Sequence, residues 1–446
     1  MVSCLVSCKR EVANNVQETP LDKGVYPLES DPDLDALLNE VGEARYVLLG
    51  EASHGTSEYY TWRARITRRL IEEKGFTMVA VEGDWPDMYA YNRYVKGGPG
   101  AAGSAREVMQ TFNRWPTWMW SNQEVGDFIE WLKTRNASLP ATQRVGFYGL
   151  DVYSLWESVE SVLSYLDKVD PAAAQRARAA YTCLASYQRD EQAFAVASVA
   201  QPNLCAQELQ RLLTEVRATI QQLPSGDEEA FSAEQNALAA IHGADYYRMM
   251  VRDDVESWNI RDRHMAETIA RLTQWKGPSA KIAVWEHNTH VGDARATNMQ
   301  QSGMVNVGQL VREQHGPEGV YIVGFGSYRG SVIAARSWEA GLQTMPVPAS
   351  PGGTWESLLH QTPPANKLVL LRALAGDARY ARPLGHRAIG VVYDPQSEGG
   401  NYVPSVVPQR YDAFVFIDQT HALHPLPTGS GRKVSPKSQY SQINDF

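Results

Sequence analysis

Apolar positions along the chain follow two different rhythms. Leu34, Leu37, Leu38 and Val41 recur at helical spacing. The run from Tyr46 to Gly50 is then apolar without interruption, the pattern of a strand buried on both faces. Ser57 to Lys74 reads as a helix, with Thr56 or Ser57 as its N-cap, Glu58 in the first turn and Gly75 as its stop. Met78 to Glu82 is a second buried strand, so a strand, a helix and a strand fit within about 36 residues as a βαβ unit with parallel strands. Val145 to Leu150 predicts a third. From Ser154 to Trp275 the rhythm is helical throughout, with eleven alanines between Pro171 and Ala200. Pro171, Pro202 and the stretch from Pro224 to Gly226 divide this block into helices of ordinary length. Strands resume at Lys281–Trp285, Val320–Gly324, Lys367–Leu371, Ala388–Tyr393 and Ala413–Ile417.

The pattern predicts an α/β fold, a mostly parallel central sheet flanked by helices and interrupted by a large helical insertion. Residues 1–28 are polar and lack a period, and are expected to form a loose N-terminal segment. Residues 29–153 form the first part of the α/β core, 154–276 the helical insertion and 277–427 the second part. Residues 428–446 are rich in Gly, Ser and Lys and read as a disordered tail. No repeat of fixed period and no heptad pattern occurs.

Composition narrows the function. The 446 residues carry a net charge of −9, and no basic stripe offsets it, which argues against nucleic-acid binding. No run approaches a membrane-spanning length, so no membrane partner is expected. Cys4, Cys8, Cys183 and Cys205 contain no Cys-x-x-Cys pair, and reduced thiols in a cytoplasmic protein are expected. The opening MVSCLVSCKR lacks the basic start and long apolar core of a secretory signal.

In open parallel sheets, ligands bind beyond the carboxyl ends of the strands. The first strand runs into Glu51 and His54, the second ends at Glu82 with Asp84 and Trp85 following, and the third ends at Asp151. The strand from Lys281 runs into Glu286, His287 and His290. Taken singly, each has a structural explanation: Glu51 as a helix cap, Glu82 in a salt bridge with Arg63 or Arg65, Asp151 as a cap for the helix near Ser154. Together they place carboxylates and imidazoles at one sheet edge, where titratable groups need a reason to be. Gly-x-Ser-x-Gly, a Walker A loop, a strict Gly-x-Gly-x-x-Gly and His-Glu-x-x-His are all absent. Two mechanisms fit: a His acting as general base on water with a carboxylate orienting it, or a metal held by Glu51, His54, Glu82, His287 and His290. Arg63 offers a cation near the start of the helix from Ser57. Trp85, Tyr89, Trp115, Trp118 and Trp120 are candidates to wall an apolar cleft, against the alternative that they pack the core.

The segment Leu49-Gly-Glu51-Ala-Ser-His54-Gly-Thr56, Glu82 at the second strand's end, the segment from Ser257 to Met265 and the segment from His287 to Arg295 resemble the erythromycin esterase family, in order and separation, from about Asp33 to Leu426. The resemblance implies an α/β fold like that of haem-associated ChaN-like proteins, with a helical insertion beside a deep cleft. It implies hydrolysis of a macrolide or other large lactone by a His general base, without an acyl-enzyme, a metal or another cofactor. By this resemblance His54 is the base, and Glu51, Glu82, Arg63 and His287 are functional, with His290 in the same motif. Glu82 or Glu51 would orient His54, while His287 and Arg63 would hold the carbonyl or oxyanion. Arg261 falls on a motif position, as a substrate contact or a structural salt bridge; Trp85 and Trp118 are the expected substrate walls. The expected partner is a small-molecule ester or lactone. The rivals are a metal-dependent hydrolase using the same cluster, a haem- or small-ligand-binding module, and a hydrolase with Ser53 as nucleophile.

Overall fold

A computed structural model describes residues 19–98, 100–223 and 226–428. The described residues form eleven strands: β1 (Val25–Pro27), β2 (Tyr46–Leu49), β3 (Met78–Asp84), β4 (Gly146–Asp151), β5 (Ile282–Trp285), β6 (Val320–Ala334), β7 (Gln343–Val347), β8 (Lys367–Leu370), β9 (Leu384–Arg387), β10 (Tyr402–Ser405) and β11 (Ala413–Thr420). Nine make one sheet in the order β1-β8-β11-β6-β2-β5-β3-β4, with β7 against the far end of β6. The six strands from β11 to β4 are parallel; β8, β1 and β7 are antiparallel additions. β9 and β10 pair separately.

The apolar runs form central strands because helices cover both faces. Val47, Leu49, Val79, Val81 and Trp285 pack into one core with the helix Ser57–Lys74. Leu48, Met78, Ala80, Ile282 and Val284 pack into another, with Met265, Ile269 and Leu272 of the helix Asp254–Lys276. The helix after β2 leads across one face to β3, and the chain after β5 crosses the other face through the helix Val307–His315 to β6. β2 and β5 are neighbours, so their outgoing connections diverge and open a crevice at their carboxyl ends.

From Leu155 to Lys276 the described residues are helices and turns, with a core of their own from Val152 to Tyr247. The last helix of the block, Asp254–Lys276, packs on the sheet as well and so ties the insertion to the site.

Four expectations need correction. Val25–Pro27 pairs with β8, and Leu21 and Leu28 are buried, so residues 19–28 are anchored rather than loose; residues 1–18 lie outside the described residues, as does the expected tail beyond Thr428. Ala388–Tyr393 is not a strand. It makes only isolated bridges, Ile389 to Ser53 and Val392 to Ala335, because it runs beneath the loop after β2 instead of joining the sheet. Cys183 and Cys205 are not free thiols but a disulfide, brought within 5.8 Å (Cα to Cα) where two insertion helices pack. Asp151 does not cap the helix that starts at Leu155; its carboxylate faces Arg261.

The disulfide closes a separation of 22 residues inside the insertion, which restricts the unfolded chain. Reducing it, or replacing both cysteines by Ala, is expected to cost about 3 kcal/mol of insertion stability. Thermal unfolding with and without reductant measures this; identical curves would show that the bridge adds nothing.

Candidate active site

Gly50 and Gly55 frame the loop that carries the first two candidate side chains, Glu51 and His54. A Cβ on Gly50 would stand 2.1 Å from Asn288 Oδ1, and one on Gly55 would stand 1.9 Å from the Ile333 carbonyl oxygen. Both glycines therefore let the loop after β2 lie directly against the loop after β5 and against β6. The Asn288 amide donates from its backbone to the Glu51 carbonyl at 2.8 Å, which fixes the two loops to each other.

Glu51 is 1% exposed and stands between an imidazole and a guanidinium. Its Oε1 lies 2.8 Å from His54 Nδ1, and its Oε2 lies 2.6 Å from Arg63 Nη2. Arg63 rises from the helix Ser57–Lys74 and is fully buried between the rings of Tyr60 and Trp285. A carboxylate only accepts, so the His54 proton sits on Nδ1 and Nε2 is left with its lone pair. His54 lines a cleft whose empty space is about 750 Å³, counting its open mouth. Burial disfavours its charged form, yet the Glu82 charge and the Glu51 hydrogen bond outweigh that and raise its pKa above the ordinary 6.5.

Across the cleft stands a second buried network. Arg261, on the helix Asp254–Lys276, donates through Nε to Asp151 Oδ1 at 2.9 Å, through Nη2 to Glu82 Oε1 at 2.7 Å and to Asp151 Oδ2 at 2.9 Å. Its Nη1 lies 2.9 Å from His290 Nε2. A guanidinium only donates, so His290 accepts there and carries its proton on Nδ1, which faces both oxygens of Asp262 at 3.0 Å. The other oxygen of Glu82 accepts from the His287 amide at 2.7 Å. Burial opposes ionisation of Glu82 and Asp151, but His290 and Arg261 beside Glu82, and Arg261 beside Asp151, hold both carboxyls below the usual range. Trp120 Nε1 donates to the Glu82 carbonyl at 2.9 Å and fixes the end of β3.

The expected residues separate into three groups. His54, Glu82, Arg261 and His290 line the cleft together with Asp151. Glu51, Arg63 and His287 stand behind this lining. Arg63 is committed to Glu51, and His287 is 1% exposed, with its Nδ1 2.8 Å from Thr289 Oγ1. Burial, then the nearby His54 charge, pushes His287 well below the ordinary imidazole range, so it is a neutral neighbour, its ring 5.0 Å from that of His54. In this geometry neither Arg63 nor His287 reaches into the cleft to hold an oxyanion. Trp85 and Trp118 form the third group, and they do not line the cleft. Trp85 stacks on Tyr89 and Tyr148 and donates to Ser232, fastening the insertion to the sheet. Trp118 turns into the core from the short turn Thr117–Met119, while Thr117, Met119 and Trp120 face the cleft. Ser53, hydrogen-bonded to Thr56, does not line it either.

Asp262, which the sequence reading passed over, completes the site together with Asp151, Arg261 and Glu286. Asp151 and Arg261 form the central ion pair; Asp262, next to Arg261 on its helix, orients His290. Glu286 is fully buried, and burial together with the Glu82 charge drives its pKa well above the carboxylate range, so it is a neutral acid. Among the described residues no group of three or more His, Cys, Asp or Glu side chains is arranged to hold a metal ion. The oxygens of Glu82 are engaged by Arg261 and the His287 amide, and His290 is engaged on both ring nitrogens.

Replacing Arg261 by Met would leave Glu82 and Asp151 buried without their shared cation. Urea unfolding is expected to show a loss of roughly 3–5 kcal/mol, as for other broken buried ion pairs. A loss no larger than that of a surface pair, under about 1 kcal/mol, would contradict the buried network.

A model of the erythromycin esterase family matches residues 71–420, a stretch that includes Glu82, Arg261, His287 and His290 and begins after Glu51 and His54. The Bacillus subtilis (strain 168) protein named "Putative hydrolase YbfO" is 22% identical over 362 residues, 76% of this chain and 78% of its own length. Erythromycin esterase type II of Escherichia coli is 27% identical over 127 residues, 28% of each chain. Among solved structures, a succinoglycan biosynthesis protein superposes with a TM-score of 0.72 at 22% identity, over 90% of this chain and 96% of its own. A His-to-Asn mutant of the erythromycin esterase EreC, in its open conformation, superposes with a TM-score of 0.61 at 16% identity, over 89% and 97%. These likenesses show a shared fold.

Proposed function

The chain belongs to the erythromycin esterase family, and on that footing we propose that it is a carboxylic ester hydrolase acting on a macrolide or other large lactone. The observation that carries this reading is the Glu51–His54 contact of 2.8 Å at the wall of the cleft, because it leaves His54 Nε2 as the available base. His54 Nε2 takes a proton from water, and the hydroxide adds to the ester carbonyl. The tetrahedral intermediate collapses by breaking the acyl C–O bond, and the imidazolium returns its proton to the departing alkoxide. A lactone thereby gains one water and opens to a hydroxy acid. Glu51 keeps the imidazole in the required tautomer and stabilises its charged form; Arg63 holds Glu51 in place. Arg261, on the cleft wall, is the cation facing the carbonyl oxygen, the role that Arg63 and His287 are too deeply placed to fill.

A panel of macrolides and simple lactones, followed by mass spectrometry for the gain of one water, tests the reaction class. With a substrate in hand, His54→Asn is expected to lower kcat/KM by roughly 10²–10⁴ while the fold is kept; near-normal turnover would remove His54 from the chemistry.

The base must be uncharged to act. Its pKa is raised, so kcat/KM falls as pH drops through a limb above 6.5. Glu51 contributes to that rise, so Glu51→Gln is expected to move the limb to lower pH as well as to reduce the rate. A limb that stays in place would show that Glu51 does not bear on the base.

A further inference from the structure

A segment that the proposed reaction does not use is bonded to two parts of the site. β11 ends at Thr420, and residues 421–426 then run as a strap past the starts of two helices, Ser57–Lys74 and Gln123–Ala137. The first of these helices follows the loop that carries His54; the second follows the turn that puts Met119 and Trp120 on the cleft wall. The Leu423 amide donates to the Gly55 carbonyl, and the Ser57 amide donates to the His421 carbonyl, each at 2.9 Å. The Gln123 amide donates to the His424 carbonyl, and the Leu426 amide to the Ser121 carbonyl, again at 2.9 Å. Gly55 adjoins His54, so the strap grips the loop one residue from the imidazole.

Glu124 joins the same three segments through its side chain. It lies in the first turn of the helix Gln123–Ala137, where any carboxylate suits the helix dipole. Solvent would satisfy that role, yet Glu124 is only 8% exposed. Its Oε1 accepts from the Ser57 hydroxyl and lies 2.7 Å from His424 Nδ1. One buried carboxylate thus meets the end of the His54 loop, the strap and the helix behind the wall. Glu58 fastens the strap from the other helix: its Oε1 lies 2.7 Å from His421 Nδ1, and its Oε2 accepts from the His421 amide at 2.8 Å.

We infer that Glu124 is a positioning residue of the site: through Ser57 and the strap it holds the His54 loop at a fixed spacing from the wall formed by Met119 and Trp120. The inference rests on the proposed ester hydrolysis for the reaction whose rate that spacing governs. Burying a carboxylate is costly unless its hydrogen bonds are made, and here they are made across segments instead of within one helix. Spacing matters because a misplacement of about 1 Å between a base and its substrate can cost about 10²-fold in rate. The charges that act most on His54 are those of Glu82, Glu51 and Arg261, and His287 stands beside its ring. A change at Glu124 therefore reaches the imidazole through the loop.

NMR titration of the histidine rings in the full chain tests this without any hydrolysis, in the wild type and in Glu124→Ala, Glu124→Gln and His424→Ala. The Glu51 hydrogen bond helps to raise the His54 midpoint, so a loosened loop lowers it. Glu124→Ala is expected to move the midpoint down toward about 6.5. Glu124→Gln keeps an acceptor for Ser57 and for the His424 ring, and should leave the midpoint near the wild-type value. His424→Ala removes a largely exposed ring, keeps the fold and should shift the midpoint in the same direction as Glu124→Ala. With a substrate, Glu124→Ala should lower kcat about tenfold or more at a nearly unchanged KM, and Glu124→Gln should recover most of the loss. A midpoint that stays in place in Glu124→Ala and His424→Ala, with only the melting temperature lowered, overturns the inference. Equal shifts in Glu124→Ala and Glu124→Gln would assign the effect to charge and overturn it too. The expected shifts with no ester hydrolysed would sink the hydrolase reading and leave the positioning role standing. Hydrolysis at the wild-type kcat in Glu124→Ala, with the midpoint unmoved, would do the reverse.

Discussion

Charge buried at the edge of a dry sheet is stable only where it is paired, and one guanidinium does most of that pairing here. Arg261 bridges Glu82 on β3 and Asp151 on β4 and also meets His290 beyond β5. Three strand ends therefore share one cation delivered by a helix of the insertion. Without it, Glu82 would be a desolvated carboxyl beside neutral Glu286, and its field, which raises the His54 pKa, would fade. The insertion helix is thus part of the site, not an appendage to it.

The imidazole proposed as the base belongs to a second buried network. His54 lines the cleft with its Nδ1 bound to Glu51, and Glu51 is held from behind by a buried Arg63. Neutral His287 fills the space beside it without competing for the proton. Depth separates the two sets: groups behind the lining set charge and tautomer, and groups on it are open to the cleft.

The sheet and the helix from Ser57 to Lys74 were legible because both obey strong local rules, unbroken apolar runs and a capped amphipathic stretch. The gathering of Glu51, His54, Glu82, His287 and His290 at one edge was legible from topology alone, since parallel strands must end together. Partnerships were not. Nothing in the sequence couples Arg261 to strands more than a hundred residues away, so Asp151 read as a cap and Arg63 as an oxyanion contact. The tryptophans misled for a related reason: a ring of that size packs against whichever face the backbone turns it to, and Trp120, not Trp118 or Trp85, faces the cleft. The path of Ala388–Tyr393 under the β2 loop and the Cys183–Cys205 bridge likewise depend on which elements meet in space.

The most direct test of this account is nitrogen NMR of histidine-labelled protein across pH, with His54→Asn used to assign the resonance. The account predicts a neutral His54 ring protonated on Nδ1, an unprotonated Nε2 and a midpoint above 6.5. A ring protonated on Nε2, or a midpoint at or below that value, would contradict it.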